Sequence, residues 1–376
     1  MVFNFKLLSL GVLTILAHGA ENEKATIKVE TVPFKACSPI PPFESDEGTL
    51  RHVTTSKLTS DNVKFGGLSS LIITPDGSEI LAVSDSGVFV TMPLSSVDEG
   101  SINAEFLPMK DAKGDDIVYD SHDGDAEGLT VNGFYEGSGK GELYVSYEKN
   151  QRVMKFPKGV SSDKADDLGV SILLAECPHR GGLEAIVKLR STGQLLMVCE
   201  EPNTSTDKTF TVSAWARDAV SGATKKFSVQ SENKFFPTDM AELPNGDIMI
   251  LLRRFVKNDR GAMQIGYITA ESIQQAITNE AVAVPKIILE LWERDGWKVD
   301  NAEGLAARQD PKTNKTFVYT LSDDNHRETQ ETLLTTFEWI PKSSRPDPPS
   351  YARGSSVMMT VYIGMGIAIW SSFWHY

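Results

Sequence analysis

One phrase recurs along this chain and limits what it can fold into. An acidic or amide residue, a small residue and a carboxylate are followed by Gly-Leu opening an apolar strand. It is clearest at Asp300 to Leu305, D-N-A-E-G-L, answered some twenty residues later by Ser322-Asp323-Asp324-Asn325. Its cognates are Gly66-Gly67-Leu68-Ser69, Asp125-Ala126-Glu127-Gly128-Leu129, Gly182-Leu183-Glu184-Ala185 and Pro237-Thr238-Asp239-Met240-Ala241. Aligned on Gly67, Glu127, Glu184, Asp239 and Glu303, the copies stand 55 to 64 residues apart, a period that suits a four-stranded propeller blade.

Each copy continues with a turn and then a strand that ends in polar residues: ILAVSDSG, ELYVSYEKN, QLLMVCEE, DIMILLRRF and FVYTLSDDN. Pro75-Asp76-Gly77, Gly137-Ser138-Gly139, Ser191-Thr192-Gly193 and Pro244-Asn245-Gly246 supply hairpin punctuation. Third strands follow at 87–94, 152–157, 209–217 and 262–269, and a short helix is predicted over 270–277, before a strand over 286–292. The last copy offers strands from Asn301, Phe317 and Thr332 and then runs out, so Arg51 to Leu58 (RHVTTSKL) is expected to complete it and close the ring. The expectation is an all-β propeller with five countable four-stranded modules, five or six blades, and little helix.

Antiparallel strands joined by a hairpin place the first residue of one beside the last of the other. The strand-start carboxylates and the SD, EK, EE, RR and SDDN ends should therefore meet at one mouth. Carboxylates gathered there repel unless something cationic neutralises them, and an oxygen-only set is what calcium prefers. Asp125, Glu127, Glu184, Asp239 and Glu303 are the candidate metal ligands, with the acidic run Asp120 to Glu127 nearby. Arg152, Arg180 and Arg253 are candidates to grip an anionic substrate, and guanidinium groups suit phosphate. Asp323, Asp324, Asn325 and Arg254 are the candidate catalytic set, the first three to orient metal or water and Arg254 to bind the anion. The plainer alternative for each carboxylate is structural: it accepts backbone N–H bonds and pairs with a neighbouring blade's arginine. His122, His179 and His326 lie near polar strand ends, where a loop histidine is more often solvated than catalytic.

The run P-T-D-x-A, then L-P-N-G-D and R-R-F (residues 237–255), and D-N-A-E-G-L-A with L-S-D-D-N and T-L-L resemble the phytase-like domain family, also described as esterase-like activity of phytase. The resemblance spans about residues 60–340. It implies an exported propeller acting on phosphate or carboxylic esters. The chain departs from the pattern at Asp85-Ser86-Gly87, where the family often has Asp-Arg-Gly, and at His179-Arg180-Gly181, where it has Asn-Arg-Gly.

The chain ends frame this domain. Residues 1–20 read as a secretory signal, with Lys6, an apolar run and Ala17-His18-Gly19. Residues 21–60 form an N-terminal segment with the closing strand, 61–341 the propeller, and 342–356 a Pro-rich linker. Residues 357–374 lack charge and read as a membrane span at the lower limit of length or a lipid-anchor signal. Asn203 and Asn314 head glycosylation sequons, and Cys177 and Cys199, which share a module, are the candidate disulfide, with Cys37 left over. A net charge of −14 and the lack of a basic stripe argue against nucleic acid. No G-x-S-x-G, H-E-x-x-H, C-x-x-C or P-loop occurs. The composite expectation is an extracellular or cell-surface, membrane-tethered propeller that hydrolyses a small anionic ester with calcium. A lactonase-like propeller and a non-enzymatic binding propeller with structural calcium are the alternatives.

Overall fold

The computed structural model describes residues 23–342 apart from 36–38, 95–99, 179–180, 203, 205, 207 and 257–260. The leader, the linker, the C-terminal apolar stretch, Cys37, Arg180 and Asn203 lie outside the described residues. Strands β1 (Glu23–Thr31), β2 (Phe43–Glu44) and β3 (Gly48–Thr59) precede the repeat. The first module is β4 (Leu68–Ile73), β5 (Glu79–Ser84), β6 (Val88–Pro93) and β7 (Ser101–Pro108). The second is β8 (Ala126–Val131), β9 (Leu143–Tyr147), β10 (Arg152–Val160) and β11 (Asp166–Asp167).

After the single turn α1 (Ser171–Leu174) come β12 (Leu183–Lys188), β13 (Gln194–Cys199), β14 (Thr209–Asp218) and β15 (Thr224–Glu232). The fourth module is β16 (Phe236–Glu242), β17 (Ile248–Phe255), β18 (Gly261–Ile268) and, after helix α2 (Ala270–Asn279) and β19 (Val282–Ala283), β20 (Lys286–Trp292). The short β19 joins β15 in parallel. The fifth module holds β21 (Asn301–Gln309), β22 (Thr316–Asp323) and β23 (Thr332–Pro341).

The missing fourth strand of the last module is β3, paired antiparallel with β23 from Thr332↔Leu58 to Pro341↔Gly48. Ring closure by an N-terminal strand is thus observed, over a longer segment than the sequence marks. β1 was not foreseen. It pairs with both β3 and β7 and so joins the outer edges of the fifth and first modules into one continuous sheet. Only Ile27 and Val29 of β1 are buried. A strand whose only large apolar residues are Ile27 and Val29, set among Lys, Glu and Thr, carries too weak a periodic signal to separate it from loop.

Burial explains the strand patterns. β9 and β12 are buried along their whole length, because a module's inner strands are covered on both faces by neighbouring modules. The outer β7 instead alternates, with Ile102, Ala104 and Phe106 inward. The innermost strands β4, β8, β12, β16 and β21 touch one another in a closed cycle among the described residues. A separate apolar cluster fills each cleft between consecutive modules. The α2 helix begins at Thr269, whose hydroxyl accepts the Ser272 N–H at 3.1 Å.

Cys177 and Cys199 form a disulfide with Cα atoms 5.5 Å apart, pinning the segment after α1 to the end of β13. It closes a loop with a sequence separation of 22. Chain-entropy reasoning places the cost of opening such a loop at about 3 kcal/mol. The double variant C177A/C199A should lose stability of that order in a denaturant titration. An unchanged midpoint would show that the bridge constrains nothing in the unfolded chain.

Candidate active site

All five innermost strands begin with a bulge at the same register, an extra residue that re-aims a side chain. The bulged residues are Ser69, Glu127, Glu184, Thr238 and Glu303. This corrects the sequence alignment at two modules, which had used Gly67 and Asp239. Thr238, not Asp239, matches the glutamates, and Ser69, not Gly67, does so in the first module. The second strands supply a companion set, Asp85, Glu148, Glu200, Arg253 and Asp323, each opposite the residue two before the bulge. The two sets together hold seven carboxylates, two hydroxyls and one guanidinium.

Asp239 falls instead in the register of Gly128 and Gly304. A Cβ on Gly128 would stand 2.4 Å from the Glu184 carbonyl oxygen, and one on Gly304 would meet Leu71 at 2.8 Å. Modules approach closely here, which is the physical reason for the E-G pair. Asp239 fills its position by hydrogen bonding. Oδ2 accepts Ser70 O–H at 2.7 Å and Leu305 N–H at 2.8 Å, and Oδ1 accepts Met240 N–H at 2.8 Å. Burial raises its pKa well above the ordinary value against these three donors. Asp239 ties the first, fourth and fifth modules together and is withdrawn as a metal ligand.

Arg253 is the hub of the two sets. Its guanidinium pairs with Glu200 from the third module and Glu303 from the fifth, and donates to Asn301 Oδ1 at 2.8 Å. Burial works against its charge, yet Glu303, Glu200 and Glu184 hold its pKa above the usual value. Bound by two carboxylates, Arg253 offsets part of the negative charge at the mouth and is not free to grip a substrate. Arg254, one residue on, faces the other way, as a strand requires. It lies 4.9 Å from the Trp292 ring centroid and donates to the Asn233 carbonyl at 3.0 Å, outside the carboxylate sets. Arg152 stacks 3.9 Å over the Tyr147 ring and donates to the Lys149 and Asp123 carbonyls.

Of the turn assigned to catalysis, only Asp323 belongs to the second set. Asp324 is an anchor: Oδ1 accepts Gly67 N–H at 3.2 Å and His326 N–H at 3.0 Å, and Oδ2 accepts Thr332 O–H at 3.0 Å. Asn325 contributes its backbone, with a φ of 48° and an N–H on Asp323 Oδ1 at 2.6 Å. Asn314 is exposed in the β21–β22 hairpin, at the end of β21 away from the carboxylates.

The remaining carboxylates are crowded. Oxygens of Asp125, Glu127 and Glu148 lie within 4.8 Å of one another, and the Lys149 ammonium sits on Asp125 Oδ2 at 2.7 Å and on Glu148. Sequence reading passed over Lys149; its place in the EK strand end was the available signal. Glu303 Oε1 is shared by Arg253 and Asn301, while Oε2 is buried with no hydrogen-bond donor. Burial and then its acidic neighbours push Glu127 and Glu184 well above the carboxylate range. Burial lifts Glu303 to about 8, with Arg253 opposing, and Asp323 to about 7, with Asp85 adding to the effect.

These shifts fix the sign of a pH effect. Acids whose pKa is raised on folding keep protons that the unfolded chain has released. Their contribution is therefore full at low pH and is lost as pH climbs through the folded values near 7 and 8. In chelator, Tm should fall between about pH 5 and pH 8, by about 2–4 °C for each kcal/mol lost. The fall should be smaller in Glu303→Gln, as read by scanning calorimetry; a Tm that rises over this interval contradicts the charge balance described.

The family described as esterase-like activity of phytase matches residues 63–326. No curated protein matches the chain in sequence. Among solved structures, a protein of unknown function from Bacteroides thetaiotaomicron is similar at 10% identity and a TM-score of 0.41, covering 84% of this chain and 77% of that one. U3-55K is similar at 9% identity and a TM-score of 0.37, over 72% and 95% of the two chains. The RRP9 WD40 repeats are similar at 10% identity and a TM-score of 0.34, over 81% and 84%. With the family match running from before the first innermost strand to the end of the Asp323–His326 turn, the chain belongs to the phytase-like family.

Proposed function

We propose that the mouth is a calcium-dependent hydrolase site for phosphate or related esters. Family membership supports an esterase- or phosphatase-type activity on a propeller. The observation that carries the metal is the buried, donorless Oε2 of Glu303, set in a surplus of carboxylates over cations among the described residues. A buried oxygen of this kind is costly unless a proton or a cation meets it. Asp125, Glu127 and Glu148, whose oxygens lie within 4.8 Å of one another, would hold the ion, with Glu303 outside that group as a further oxygen donor; an all-oxygen set fits a hard divalent cation. A bound calcium supplies charge to polarise the ester oxygen and lower the pKa of water.

The chain's own residues do the rest. Arg253 fixes Glu200 and Glu303 relative to each other, and Asp323 and Asp85 would take a proton from water. Lys149 already neutralises Asp125 and Glu148, so a cation entering beside them must displace its ammonium or share the pair. The leader, sequons and C-terminal apolar stretch support an exported, membrane-tethered protein.

One observation favours a second reading. The arginine at the centre of the mouth is engaged by carboxylates, and Arg152 and Arg254 are held elsewhere. A neutral ester such as a lactone, whose carbonyl needs only a cation, asks for no free guanidinium.

Calcium titration of the full chain, following Tm with hydrolysis of p-nitrophenyl phosphate and a simple lactone, separates the outcomes. Calcium should raise Tm and support turnover, and Glu303→Gln should weaken both at least tenfold in calcium concentration. Turnover of the lactone alone selects the second reading. Stabilisation without turnover of either leaves a binding propeller, and no response to calcium removes the metal site.

A further inference from the structure

Ser86 lies just past the end of β5, beside Asp85, and is almost fully buried. Its Oγ is 3.1 Å from Asp85 Oδ1 and 3.2 Å from Nε2 of His326, which arrives from the β22–β23 turn. One hydroxyl thus bridges a carboxylate of the mouth and an imidazole whose side chain is 35% exposed. The histidine is held in place from below. Asn325 and His326 both take positive φ, 48° and 50°, and their N–H groups bind Asp323 and Asp324.

Gly66 and Gly67 open the space for this contact. A Cβ on Gly67 would stand 2.0 Å from Asp85 Oδ1, and one on Gly66 would stand 2.7 Å from His326 Nδ1 and from Asp324 Oδ1. The glycines at this strand start give Asp85 and the imidazole room. The titratable groups facing the contact are Asp85 and Tyr119 on the first-module side, Asp125 from the second module, and Asp323 and Asp324 from the turn.

We propose that Asp85, Ser86 and His326 form a proton relay from the mouth to solvent, resting on the ester-hydrolase reading above. As the water oxygen bonds to the phosphorus or carbonyl carbon, its proton passes to Asp85. Asp85 returns it to Ser86 Oγ, the serine's own proton moves to His326 Nε2, and the imidazolium releases a proton to solvent. The bond to the leaving oxygen breaks, and that oxygen takes a proton from solvent water, so the sum is one ester and one water giving an alcohol and an acid. Hydroxyl-bridged transfer of this kind needs both contacts within hydrogen-bond reach, as they are here.

His326→Gln and Ser86→Ala in the full chain, with calcium and p-nitrophenyl phosphate or the lactone that wild type turns over, test the relay. Each should lower kcat at least tenfold with KM and the calcium-induced Tm shift unchanged. Imidazole in the buffer should restore part of the His326→Gln loss, and the His326→Gln pH-rate profile should differ in shape from that of wild type. Unchanged kcat and pH profile in both variants would overturn the relay while leaving the hydrolase intact. A loss accompanied by a lost calcium response, without imidazole rescue, would make the contact structural. A wild type without turnover on any ester would remove the hydrolase and the relay with it.

Discussion

The pairing of β3 with β23 closes the ring, and the chemistry at the mouth depends on that closure. Each module buries its inner strands only against its neighbours, so an open ring would expose two apolar faces and two strand edges. Closure brings β21 against β4 and with it Asp239 onto both Ser70 and Leu305. It also sets the Asp323–His326 turn of the last module against Gly67 and Ser86 of the first. A contact between residues 240 positions apart in sequence exists because the chain ends share a sheet.

Closure gathers like charge. Five strand starts converge, three carry glutamate, and four of the five companion residues are acidic as well. Arg253 reconciles two of these carboxylates, and Lys149 pairs with one more, Glu148, and with Asp125 beside them. The rest raise their pKa values by burial, and one Glu303 oxygen has no donor. Acids raised in this way couple the stability of the fold to pH.

Much of the fold was legible in residue order, and less of the site. Period, hairpin turns, closing strand and α2 all carry local signals, whereas β1 does not. The carboxylates at Glu127, Glu184 and Glu303 were legible because Gly or Ala after them marks close packing. Asp239 and Thr238 were exchanged because a bulge shifts register by one residue without a sequence mark. Arg253 and Arg254 were exchanged in role for a related reason: adjacent strand residues face opposite ways, and only pairing says which faces the axis.

Sequence alone determined the repeat, its length, the acid-rich strand ends and the family, since each rests on residues close together in the chain. Tertiary structure decided which acids meet, which are anchors and which arginine is central. Those outcomes depend on register and ring closure, set by packing between modules 50 or more residues apart. The Asp85–Ser86–His326 contact is the extreme case, for no local signal links an S-D-S turn near the start to a histidine near the end.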